Sequence, residues 1–161
     1  MMKIYSLKQY TGWIMLVVLL ITMTACLKKD SFKFREKFDD GIWYRYKKLH
    51  FTLTVNKKDK EYDLELRLIY DSIFEAKKLN LNMVIETPDG EERSREYYIR
   101  VRDEDGHLKG VQSNGKYILE VSLNKELRFR KKGVCRIEIE NLMPKIETQG
   151  IYEVGLLITS Y

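Results

Sequence analysis

Beyond residue 48 the chain alternates apolar and polar side chains. Leu49, Phe51, Leu53 and Val55 fall on one face of a strand, as do Tyr62, Leu64, Leu66 and Leu68 in the next candidate. Leu79, Leu81, Met83 and Ile85 form a third set before the turn "PDG", and Tyr97, Ile99 and Val101 a fourth before "DEDG". Tyr117, Leu119, Val121 and Leu123 make a fifth, followed by a short Leu127/Phe129 piece. Two further sets close the chain: Cys135, Ile137 and Ile139, then Tyr152, Val154, Leu156 and Ile158. Strands separated by turns, with almost no period of 3.6, predict an all-β fold: an antiparallel β-sandwich of jelly-roll or immunoglobulin-like kind. One helical turn is expected in "DSIFEAKKLN", where Ile73, Phe74 and Lys77 have helix-like spacing.

The first 25 residues obey a different rule. Lys3 and Lys8 precede an uninterrupted apolar run from Trp13 to Ile21, and Thr22 to Ala25 follow. This is the layout of an export signal, and the run is shorter than the ~20 apolar residues that a spanning helix needs. Thr24 and Ala25 directly before Cys26 resemble a bacterial lipobox, in which the cysteine is acylated and becomes the new N-terminus. Two or more acyl chains make such an anchor stable. The stretch "LKKDSFKFREKFDDG" is charged, lacks a consistent period of two and ends in a turn-like Asp-Asp-Gly, so it reads as a tether. From Leu27 to Phe38 it would reach at most ~40 Å when extended. The expected organisation is a signal peptide over 1–25, a lipidated cysteine with its tether over 26–41, and a sandwich over 42–161.

Charge and chemistry narrow the function. The formal charge is +5 over 161 residues. Lys3 and Lys8 are the charged residues of 1–25, so removing that segment leaves 27 basic against 24 acidic side chains. The remaining charges interleave along the sequence, which argues against a nucleic-acid partner. His50 and His107 have no ligand-spaced cysteine or carboxylate, so no metal is expected. "RDEDGH" offers Asp103, Glu104 and Asp105, yet it lacks the spacing and distal glutamate of a calcium loop and reads as a hairpin turn. No nucleophile elbow or phosphate-cradling loop is present, and neither an enzyme, a cofactor nor a small-molecule substrate is expected. With Cys26 acylated, Cys135 is expected to be a buried free thiol. The eleven tyrosines and two tryptophans suggest an exposed binding platform built on Trp43, Tyr44 and Tyr98, because alternation sends only one of Tyr97 and Tyr98 inward.

Against these pieces a family can be set. Trp43 before "FTLTV", the "YDLELR" strand, Asn80-Leu81, "PDG", "DGHLKG", "ENLMP" and "GIYEVGLLI" with Gly150, Val154 and Gly155 occur in order. Together they resemble the gliding-motility lipoprotein H (GldH) family of Bacteroidota. Ile69-Tyr70, Leu108 and Pro144 depart from the family's usual residues and mark a divergent member. The resemblance implies a cell-envelope lipoprotein needed for gliding in motile species and linked to the envelope machinery of type IX secretion. Its partners would be other envelope proteins, with no catalytic residues to carry over. Surface-exported lipoproteins of these bacteria resemble one another in an acidic run after the cysteine. Here Leu27-Lys28-Lys29 follows, so the expected location is the outer membrane, facing the periplasm. The alternative is a glycan-binding envelope lipoprotein that uses exposed aromatics.

Overall fold

The computed structural model describes residues 31–160. The export signal read over 1–25 and the acylation read at Cys26 lie outside them. Eleven strands follow in order: β1 (Ser31–Lys37), β2 (Ile42–Tyr44), β3 (Leu49–Val55), β4 (Glu61–Tyr70), β5 (Lys78–Glu86), β6 (Glu92–Arg100), β7 (Val111–Ser113), β8 (Lys116–Arg128), β9 (Gly133–Asn141), β10 (Glu147–Gln149) and β11 (Ile151–Ser160). No helix occurs among the described residues, and the pairings between strands are antiparallel.

The strands form a five-stranded sheet, β1-β11-β4-β8-β7, a four-stranded sheet, β3-β9-β5-β6, and a small β10-β2 ribbon. Four pairings nest inside one another: β1 with β11, β3 with β9, β4 with β8, and β5 with β6. The chain is thus one long hairpin, tipped by the β5–β6 turn, that wraps into two packed sheets. That topology is a jelly roll rather than an immunoglobulin sandwich.

The alternating sets read from the sequence supply the core between the sheets. Leu64, Leu66 and Leu68 of β4 and Val154, Leu156 and Ile158 of β11 line one side; Leu53 of β3, Leu81 and Met83 of β5 and Ile137 and Ile139 of β9 line the other. Phe34 of β1 reaches Phe51 of β3, with ring centroids 5.5 Å apart. Gly155 lets β1 approach, since a Cβ there would meet the Phe34 carbonyl oxygen at 2.8 Å.

Three expectations are corrected. The charged stretch read as a tether contains β1, which pairs with β11 along its whole length, from Ser31 opposite Thr159 to Lys37 opposite Glu153. Its apolar row is broken because Glu36, paired with Lys47 at 2.7 Å, shares the half-buried face of Phe34 while Lys33, Arg35 and Lys37 are exposed, and the domain therefore begins near residue 31, not 42. Tyr152 does not share the inward face of Val154: a bulge between Ile151 and Glu153 puts Ile151 in the core and leaves Tyr152 half-buried. The helical turn expected at residues 71–80 is an irregular loop that passes directly into β5.

Cys135 is fully buried on β9 and unpaired. Burial pushes its thiol up from the ordinary 9.0 to about 12, against the pull of nearby Arg93. A raised folded-state pKa means that the native protein holds a proton the unfolded chain releases, so stability falls as pH rises from about 9 towards 12. The slope from this one group reaches at most ~1.4 kcal/mol per pH unit. Urea unfolding at stepped pH should show Cys135→Val losing less stability than the wild type over that window, and equal losses would refute the assignment.

Candidate functional site

Strand registers define two ends of the sandwich. At one end Ser31 lies opposite Thr159, Thr159 opposite Asp63, and Tyr62 opposite Leu127. At the other, Lys37 lies opposite Glu153, Ile151 opposite Tyr70, and Tyr70 opposite Tyr117. The second end, distal to Ser31, carries a groove of about 1020 Å³ between residues 73–76 and 143–149. Ile73 and Ile146 stand on it 56% and 58% exposed, although both are large aliphatic side chains. Arg45 donates its amide to the Ile146 carbonyl at 2.8 Å, which sets Tyr44 and Tyr46 beside the same rim.

Each wall is fixed by specific hydrogen bonds. On the first, Asp71 accepts the Ile73 amide at 2.9 Å with one carboxylate oxygen and the Tyr152 phenol at 2.9 Å with the other. Arg102 donates from Nη2 to the carbonyls of Phe74, at 2.9 Å, and Ser72, at 3.3 Å. Gly150 is required beneath this loop: its φ is +81°, and a Cβ would lie 2.3 Å from the Phe74 amide nitrogen. The other wall is held by Asn141, fully buried, whose Nδ2 donates to the Trp43 carbonyl and to Thr148 Oγ1 while its Oδ1 accepts the Met143 amide. The Asn80 amide points at the Met143 sulfur, 3.4 Å away. A groove whose walls are already ordered presents apolar surface without an entropy cost of assembling it.

The platform read from the sequence is divided by the fold. Trp43 is fully buried: it stacks on Phe38 at 5.8 Å, and its Nε1 donates to the Lys47 carbonyl at 2.8 Å. It supports the turn that carries Tyr44 and Tyr46, and so is withdrawn from any exposed surface. Tyr44 is 41% exposed at the distal rim. Tyr98 is exposed on β6, a strand at the edge of the other sheet, and its phenol donates to Glu96 at 2.6 Å, a bond that also raises its pKa. A polar depression of about 520 Å³ on the outer face of that sheet is lined by neither tyrosine, and it contains the ion pairs of Lys48 with Glu138 at 2.7 Å and of Arg136 with Glu86 at 3.1 Å.

The turn at Asp103, Asp105 and His107 brings their ligand atoms within 4.8 Å. Burial raises the Asp103 carboxyl, but hydrogen bonds from the His107 amide, at 2.8 Å, and ring outweigh it and hold the pKa below its ordinary value. The carboxylate closes the turn. Ile73 and Ile146 were missed as site residues because each sits in a connecting segment, where periodicity says nothing about exposure; an aliphatic outside any alternating set was the available signal.

Fold and rim together define a jelly-roll domain with a pre-formed apolar groove at one end. The model of the GldH lipoprotein matches residues 30–158, and the chain belongs to the GldH lipoprotein family. Among solved structures, a chain of the IBDV viral particle is similar at 12% identity and a TM-score of 0.43, covering 82% of this chain and 31% of that one. The VP2 subviral particle of infectious bursal disease virus gives 11% identity and a TM-score of 0.43, covering 83% and 33%. This chain spans about a third of theirs. No curated protein matches.

The distinction between a support and a contact residue is measurable. Trp43→Ala should cost about 3–5 kcal/mol in urea unfolding, as for other buried aromatics. Ile146→Asp, at an exposed position, should stay within about 0.5 kcal/mol of the wild type. Equal losses in the two variants would show that Ile146 is structural.

Proposed function

We propose that this gliding-motility-associated lipoprotein works by contact and not by turnover: anchored at the outer membrane through acylated Cys26 and facing the periplasm, it presents its distal groove to another envelope protein. The observation that carries this reading is the exposure of Ile73 and Ile146 on a groove whose walls are hydrogen-bonded in place. Large aliphatics held open to solvent on ordered backbone are a feature of protein-contact surfaces. Membership in the GldH lipoprotein family supports the anchor and the process. Tyr44 and Tyr46 extend the apolar area of the rim, and Trp43 contributes by holding their turn.

A photo-crosslinking residue at Ile146, introduced in cells of the source organism, should trap one discrete envelope protein, whereas the same residue at Glu86 should not. Ile73→Asp with Ile146→Asp should lower that capture at least roughly tenfold, the loss of one hot-spot pair. Unchanged capture would remove the groove from the account. Saturable binding of a glycan, lost on substitution of Tyr44 and Tyr98, would instead favour a lectin-like protein.

A further inference from the structure

The end of the sandwich opposite the groove carries a charge pattern that the linear sequence hides. The β3–β4 loop contributes Lys57, Lys58 and Lys60, and the β8–β9 loop contributes Arg130, Lys131 and Lys132. The two loops touch, since the Asp59 amide donates to the Phe129 carbonyl at 3.0 Å, and Val55 pairs with Gly133 just above them. Lys57, Lys58, Arg130, Lys131 and Lys132 are all exposed. Among the described residues no carboxylate lies within ion-pair distance of Lys57, Lys58, Lys131 or Lys132.

The acidic groups at this end are Asp59 in the first loop, Asp89, Glu91 and Glu92 at the β5–β6 turn, and Glu61, Asp63 and Glu126 on the flanking strands, where Asp63 accepts the Glu126 amide at 3.3 Å. Glu61 is engaged with Arg128, and Glu91 with Arg93 at 2.8 Å. Asp89 accepts the Thr87 hydroxyl at 2.6 Å, and this bond, helped by Arg130 and Lys131, keeps its carboxyl below the ordinary range. The two loops hold six lysine and arginine side chains against the one carboxylate of Asp59, so their tips are cationic.

Their position gives the pattern its meaning. Ser31 belongs to this same end, and only four residues of chain lie between it and Cys26. Because β1 absorbs the stretch first read as tether, that separation is at most ~18 Å, within about two screening lengths at physiological ionic strength.

We propose that the 56–60 and 130–132 loops form a second membrane contact, an electrostatic one with an anionic phospholipid surface, which stands the domain upright with its apolar groove pointing away. The inference rests on the reading of Cys26 as the anchor. A lipid chain fixes distance but not orientation; basic loops beside the attachment point supply the orientation, since lysine and arginine near an anionic surface are each attracted to it.

The test uses the mature protein purified with its N-terminal modification and reconstituted with vesicles of phosphatidylcholine, with or without phosphatidylglycerol. Amide hydrogen exchange in both loops should slow by roughly fivefold or more in the anionic vesicles alone, and high salt should reverse the effect. Lys58→Glu, Lys131→Glu and Lys132→Glu combined should abolish the difference while exchange in β4 and β9 stays unchanged. Equal exchange in the two vesicles, or equal slowing in both, would overturn the proposal. Flotation separates this from the anchor: recovery with neutral vesicles shows the acyl chain, recovery with anionic vesicles alone supports the loops but refutes the anchor, and recovery with neither refutes both.

Discussion

The pairing of β1 with β11 is the constraint on which the rest of the structure depends. It is the outermost of four nested antiparallel pairings, so it closes the jelly roll and fixes which end of the sandwich lies beside the N-terminal segment. Without it β11 would become an open edge, with backbone donors and acceptors exposed to other chains. Two glycines in the last strand region make the closure possible for different reasons. Gly155 gives β1 room to lie close, whereas Gly150 takes a left-handed conformation under the 71–77 loop. Both belong to the "GIYEVGLLI" run that carries the family resemblance, and the structure gives each of them a steric cause.

Much of the fold was legible because a sheet buried on one face writes its geometry as alternation. The rows at Leu49–Val55, Tyr62–Leu68, Leu79–Ile85 and Cys135–Ile139 all face the core, and Cys135 is the buried free thiol that its alternation with Arg136 implied. Where alternation fails, the reasons are local. β1 places a charged residue, Glu36, on the same face as Phe34, where it pairs with Lys47. Tyr152 leaves its row because a bulge inserts a residue, and a bulge has no compositional mark here. The choice of jelly roll over immunoglobulin topology depended on long-range pairing, to which local patterning is blind.

The candidate site was less legible. Trp43 reads as an exposed aromatic in "WYRY", yet it is the one of that group that the fold buries, while Tyr46 is the most exposed, at 79%. The basic end shows the same blindness to distance: "NKKDK" and "RKK" are some seventy residues apart in an interleaved sequence and become neighbours only through the pairing of β3 with β9 and of β4 with β8. The outcome is a domain with two unlike ends, one carrying basic loops on the side of Ser31, the other a groove bearing exposed Ile73 and Ile146. That polarity exists because the chain enters at one end and its long connecting loops converge at the other.

The jelly roll and the polarity of its ends require β1 to be a strand of the domain and not a free leash. Hydrogen exchange followed by mass spectrometry on the mature protein decides it. If β1 closes the jelly roll, its amides bonded to β11 exchange together with those of β11, and Gly155→Val, by pushing against the Phe34 carbonyl, speeds both. Exchange across residues 32–36 at the rate of an unstructured peptide, with β11 still protected, would contradict the account.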